Sequence, residues 1–171
     1  MKSIILFILG LPFLAHLSAE QAGAQLLEVK QIIFGMDCAP CARGVEASIK
    51  RLDGVRSVTI SLNNGTAEIR LATDNRQTLR EIRQRISDNG FTPKDAEVKL
   101  SGTLREKNGK FLIETGTGET YAIESRDETM HAFEQLRKSS QGKSVTIAGV
   151  VAETKKSPAD PWDFRLTNVA D

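Results

Sequence analysis

Leu27 to Phe34 is apolar and β-branched enough for a strand. The period then changes. Ala42, Val45, Ile49 and Leu52 recur at steps of three and four, the stripe of an amphipathic helix, and Gly54 is its stop signal. Val58, Ile60 and Leu62, then Ala67, Ile69 and Leu71, alternate with polar residues on either side of Asn63-Asn64-Gly65, which predicts a hairpin. Leu79, Ile82 and Ile86 form a second helical stripe. Arg76, Arg80, Arg83 and Arg85 are assigned to its other face, as a solvated surface or a docking surface for an acidic partner. Asn89-Gly90 closes that helix, and Lys94 to Leu100 can form a last strand. The order β-α-β-β-α-β predicts an α+β, ferredoxin-like domain over residues 26–98.

The pattern after Ser101 is different. Lys107-Asn108-Gly109-Lys110 and Gly116-Thr117-Gly118 are turns that flank Phe111-Leu112-Ile113, and Glu119 to Ile123 follows as its hairpin partner. Met130, Phe133 and Leu136 mark a short helix, with Met130 expected in the core and His131 at the surface. Gln141-Gly142 ends it. Val145, Ile147, Gly149 and Val151 make a strand whose glycine marks a bulge or bend. After a polar loop from Lys155 to Pro161, Trp162 to Val169 supplies the last strand, with Phe164 and Leu166 on one face. Three strands, a helix and two strands predict a small, mostly-β OB-like barrel over residues 101–171. It carries no paired catalytic carboxylates, histidine cluster or nucleophile elbow, so it reads as a structural or partner-binding module.

The N-terminus changes the cellular picture. Lys2 precedes a mostly apolar run from Ile4 to Leu17, broken by Gly10 and Pro12, and small residues Ala22-Gly23-Ala24 follow. This is the order of a secretory signal peptide over residues 1–24, with cleavage after Ala24, or alternatively after Ala19. The run falls short of the roughly 20 residues a membrane span needs. The expected protein is periplasmic or secreted, in a compartment where thiols tend to oxidise, with no membrane span after cleavage.

The candidate chemistry lies in Gly35-Met36-Asp37-Cys38-Ala39-Pro40-Cys41, which holds both cysteines of the chain. The loop joins a strand to a helix, with Cys41 near the helix start, where backbone N–H groups and the helix dipole favour a thiolate. Two soft sulfurs with no nearby histidine suit Cu(I) or Hg(II). Zinc usually takes four ligands in a structural site and is less well served, even with Asp37 added.

A strand, Gly-Met-x-Cys-x-x-Cys, a helix and then Gly54-Val55, Val58 and Ile60 in a hairpin resemble the heavy-metal-associated domain, as does Asn89-Gly90-Phe91. That family includes copper chaperones, the N-terminal arms of metal-transporting ATPases and the periplasmic mercury-binding protein. The resemblance implies that Cys38 and Cys41 are the thiolate ligands. It also implies that Met36 turns into the core and that Phe91 shields the site. Asp37 stands where the family often has Thr or Ser, and Pro40 is unusual between the cysteines. The implied protein is a non-enzymatic metal carrier or scavenger whose partner is a metal transporter or another metal-binding domain.

Two other readings stay open. One is a thiol-disulfide oxidoreductase, suggested by Pro40 directly before the second cysteine, although no tryptophan precedes Cys38 and the hairpin follows too soon for thioredoxin topology. The other is an adaptor that keeps the fold and has lost the metal. A net charge of +1 and an aromatic content of 5% give no reason to expect nucleic acid as a partner.

Overall fold

The computed structural model describes residues 25–124, 130–139, 143–153 and 161–170. The expected signal segment at 1–24, the expected helix stop at Gln141-Gly142 and most of the expected loop from Lys155 to Pro161 lie outside them. The elements run β1 (Leu26–Phe34), α1 (Ala39–Lys50), β2 (Val55–Ser61), β3 (Thr66–Leu71), α2 (Leu79–Asp88), β4 (Thr92–Lys107), β5 (Lys110–Glu114), β6 (Thr120–Glu124), α3 (Met130–Ser139), β7 (Ser144–Val151) and β8 (Trp162–Ala170). No helix among the described residues is long and apolar enough to cross a membrane.

The first half is the βαββαβ arrangement. Its strands lie in the order β2-β3-β1-β4, all antiparallel. One face of this sheet is buried. Val29 and Ile33 of β1, Val58 of β2 and Ile69 of β3 pack with Val45 and Ile49 of α1 and with Leu79, Ile82 and Ile86 of α2. The alternation along β1, buried at 29, 31 and 33 and exposed at 28, 30, 32 and 34, is what a half-buried strand requires.

β4 is twice the expected strand. It passes through residues 98–101 without interruption and serves both halves. Its first part pairs with β1, Ala96 to Thr103 pair with β7, and Thr103 to Lys107 pair with β5. β5 continues to β6, β6 runs parallel to β8, and β8 pairs with β7. The five strands β4, β5, β6, β8 and β7 thus close a ring. Gly102 sits where β4 exchanges its partner β1 for β5. A Cβ there would collide with the Ile113 side chain and lie 2.9 Å from the Glu114 carbonyl oxygen, so only glycine allows the approach. The ring encloses Leu104, Ile113, Tyr121, Ile147, Phe164 and Leu166, with Tyr121 and Phe164 in edge contact at 5.9 Å. The register of β7 against β8 slips between Ala148 and Gly149. Phe133 of α3 packs edge-on against Phe111 at 5.1 Å, and Leu136 is buried.

Two sequence expectations need correction. Met130 is 46% exposed, because it begins α3 ahead of the turn that meets the barrel. The arginines of α2 do not share one solvated face. Arg83 lies on the apolar stripe and is buried, and both Arg80 and Arg83 stack over Trp162, at 4.6 and 4.9 Å. The start of α2 is therefore covered by the barrel.

That cover includes an anion. The Glu119 carboxylate accepts the backbone N–H groups of Leu79 (2.9 Å) and Arg80 (3.3 Å), the Tyr121 hydroxyl (2.7 Å) and the Trp162 indole N–H (2.7 Å). Thr78 and Glu81 complete a capping box beside it. A carboxylate from the second half thus satisfies the orphan N–H groups and the positive end of a helix of the first.

Glu119→Ala is expected to lower stability by about 2–4 kcal/mol, because it strips four donors of a charged acceptor. Urea unfolding should then remain a single transition at a lower midpoint. Burial, reinforced by the neighbouring Glu119 carboxylate, pushes the Tyr121 hydroxyl well above its ordinary pKa. Above about pH 10 the unfolded chain loses that proton while the folded one keeps it, so stability falls there. Tyr121→Phe should remove this part of the alkaline loss, as read from unfolding midpoints at pH 9 and pH 11.

Candidate metal centre

β1 delivers the chain to one end of the sheet and stops. Gly35 follows with φ +89°, a backbone region that other residues rarely adopt, and the chain reverses there. A Cβ at Gly35 would rest 3.9 Å from the Phe91 ring. Met36 then turns inward and is 5% exposed, packed in the core beneath the loop. Phe91, at the corner between α2 and β4, is partly buried against the same core. Met36 is thus a core residue under the loop, and Phe91 lies beside Gly35 where the loop begins.

Helix α1 starts at Ala39, with Pro40 in its first turn, where a missing N–H costs nothing. Cys38 is its N-cap. Its backbone is extended, and Sγ accepts the Cys41 N–H at 3.1 Å. Sequence spacing placed Cys41 at the helix start and missed that a sulfur fills the capping position, because cysteine is not among the usual caps. Both cysteines are half-buried. They are joined as a disulfide, with Cα atoms 5.1 Å apart.

The exposed Asp37 completes a group of three. Its carboxylate oxygen and the two sulfurs all lie within 4.8 Å of one another. As a disulfide the sulfurs hold no lone thiolate for a metal. Two electrons and two protons convert them to thiols, and the helix start then favours the thiolate form at Cys38 through the Cys41 N–H and the dipole. The donor set fits a soft ion with two sulfur ligands and falls short of the four that structural zinc uses.

A profile described as heavy-metal-associated domain matches residues 32–92. The copper chaperone CopZ of Bacillus subtilis is 33% identical over 59 residues, which are 34% of this chain and 84% of that protein. This chain belongs to the heavy-metal-associated domain family. Copper-transporting ATPase 2 of Mus musculus is 33% identical over 125 residues. That stretch is 73% of this chain, yet it spans only 8% of the ATPase's length. Among solved structures, the yeast copper transporter domain Ccc2a, studied in apo and Cu(I)-loaded states, is 30% identical. It covers 39% of this chain and 90% of its own, with a TM-score of 0.37.

The anchoring role of Met36 has a direct test. Met36→Ala is expected to destabilise the protein by about 2–5 kcal/mol through lost burial and the cavity left behind. Denaturant unfolding of the oxidised protein measures this. Met36→Leu, which nearly conserves volume, should cost under about 1.5 kcal/mol.

Proposed function

We propose that this protein is an exported, non-enzymatic carrier or scavenger of a soft metal ion, Cu(I) or Hg(II), held between the Cys38 and Cys41 thiolates. The observation that carries the reading is a pair of sulfurs at the start of α1, in a loop propped by Met36, within a chain of this family. Relatives named as a copper chaperone and as copper-transporting ATPases support copper over mercury. A metal transporter or another metal-binding domain is the expected partner, receiving the ion by stepwise thiolate exchange. Export to the periplasm or outside the cell rests on the N-terminal segment. In such a compartment the pair rests as a disulfide and must be reduced before loading, or the protein must arrive loaded.

Residues 26–98 act as the metal domain and 101–171 as a docking module. The ring order β4-β5-β6-β8-β7, its parallel β6–β8 pair and the helix between β6 and β7 support an OB-like barrel. The carboxylate of Asp37 adds a hard donor beside the sulfurs, and the three donors together still fall short of the four that structural zinc takes.

Thiol-disulfide exchange is the second reading, favoured by the closed Cys38–Cys41 bond and by Pro40. Titration of the reduced protein with Cu(I), Hg(II) and Zn(II) against competing chelators separates the two. Cys38→Ser and Cys41→Ser should each weaken Cu(I) binding by at least about a hundredfold, the loss of one of two first ligands exceeding the 10–100-fold typical of outer-shell partners. Equal binding in parent and mutants would overturn the assignment. Insulin reduction without metal affinity would favour the oxidoreductase. The absence of both activities would favour an adaptor that retains only the fold.

A further inference from the structure

Arg83 of α2 is the buried link between the second half and the strands at the base of the thiol loop; at the surface Glu153 also bridges to Lys94 and Asp95 there. Arg83 is 7% exposed. Its Nε donates to Gln31 Oε1 at 3.0 Å. Its two Nη groups donate to the carbonyl oxygens of Lys94 (2.9 Å), Val151 (3.1 Å) and Ala152 (3.2 Å). The Trp162 ring covers the guanidinium at 4.9 Å. Val151, Ala152 and Trp162 come from the barrel side. Gln31 and Lys94 belong to the two strands that lead into and out of the thiol-bearing end of the domain.

Those two strands are irregular at this point. Gln31 pairs with Ala96, but Ile33 pairs with Pro93, so Lys94 and Asp95 together oppose Ile32. Such a bulge bends its strand and leaves backbone groups without ladder partners. Buried, they must be satisfied otherwise. Gln31 is fully buried, and its amide nitrogen donates to the carbonyls of Lys94 (2.7 Å), Asp95 (3.2 Å) and Ile32 (2.8 Å). Arg83 both holds the Gln31 carbonyl oxygen and shares the Lys94 carbonyl. The loop lies just beyond. Gln31 precedes Gly35 by four residues, and Lys94 follows Phe91 by three. α2 carries the same connection at its other end, where the Phe91 N–H donates to Ile86 O at 3.3 Å.

We propose that Arg83 is a positioning residue through which the barrel sets the geometry of the Cys38–Cys41 loop. The inference rests on the reading of those cysteines as metal ligands. A guanidinium fits because five N–H donors in a rigid fork reach several carbonyls at once, which a lysine ammonium or an apolar chain does not do. Without the fork, the buried Gln31 carbonyl oxygen and the Val151 and Ala152 carbonyls lose a donor, the Gln31 amide that bridges the bulge is no longer held, and the corner holding Phe91 shifts against Gly35. Ligand placement tolerates only about 0.5 Å before binding suffers. The barrel's place beside the metal domain is therefore felt at the sulfurs.

The test uses the full chain, reduced, as Arg83→Met, Arg83→Lys and Thr78→Ala. The last removes the N-cap of α2 and touches neither the bulge nor the Arg83–Trp162 contact. Two readouts are taken: Cu(I) affinity by chelator competition, and amide hydrogen exchange over residues 35–41 in the metal-free protein. Arg83→Met is expected to weaken Cu(I) binding about tenfold, in the range of lost outer-shell support, and to speed exchange in the loop. Arg83→Lys should restore little of either, and Thr78→Ala should leave both at the parent values while lowering stability. Parent-like affinity and loop exchange in folded Arg83→Met would overturn the proposal, as would equal changes in Thr78→Ala. If Arg83→Met does not fold, Gln31→Leu cuts the same link and is read by the same two measures. If the parent binds no Cu(I), the metal reading fails, and the exchange measurement alone decides the role of Arg83.

Discussion

The first turn of α1 is the constraint on which the site depends. A helix leaves its opening N–H groups without internal partners, and the acceptor that meets them is usually a side-chain oxygen. Here it is a sulfur. Cys38 caps the helix and takes the Cys41 N–H, so the group that would bind a soft ion is also the group the helix needs at that place. The sulfur gains stabilisation as an anion from the same N–H and from the dipole. The two roles do not compete, because a thiolate has lone pairs enough for one backbone donor and one metal.

The remainder of the first half holds that turn still. β1 is buried on one face and stops at one end of the sheet, Gly35 permits the reversal, and Met36 fixes the loop from below. Among the ties to the second half, three reach farthest into the first. β4 is shared, Glu119 caps α2, and Arg83 joins Gln31 and Lys94 to the end of β7. The thiol-bearing half is thus joined to the barrel by a continuous strand and a buried polar network. Buried polar groups cost free energy unless each is satisfied. The arginine shows the cost, since burial pulls its pKa down even with Asp95, Glu119 and Glu153 opposing the effect.

Much of this was legible in the sequence. The helical stripes at Ala42-Val45-Ile49 and Leu79-Ile82-Ile86 and the turn at Asn63-Asn64-Gly65 each match a local physical rule, and the elements formed where those rules place them. The contacts between the halves were not legible, because they join residues far apart along the chain. Two signals did point to them. Gln31 occupies a core-facing position between Val29 and Ile33, and Arg83 stands four residues after Leu79, on the apolar side of its helix. A polar residue on a buried stripe requires a partner, and here the two are partners of each other. Glu119 gave no such signal, because a carboxylate in a turn looks like any solvated one until the helix it caps is known. The cap at Cys38 was hidden by residue type, and the length of β4 by Gly102, which reads as a strand end but serves a close approach to β5 within one continuous strand.

The account's central claim is that the two sulfurs together hold one soft ion. X-ray absorption at the copper edge, on the reduced full chain loaded with one equivalent of Cu(I), examines that bond itself. The account predicts a first shell of two sulfurs, lost when either cysteine is replaced by serine. A shell dominated by nitrogen or oxygen, or one unchanged in the serine variants, would contradict it.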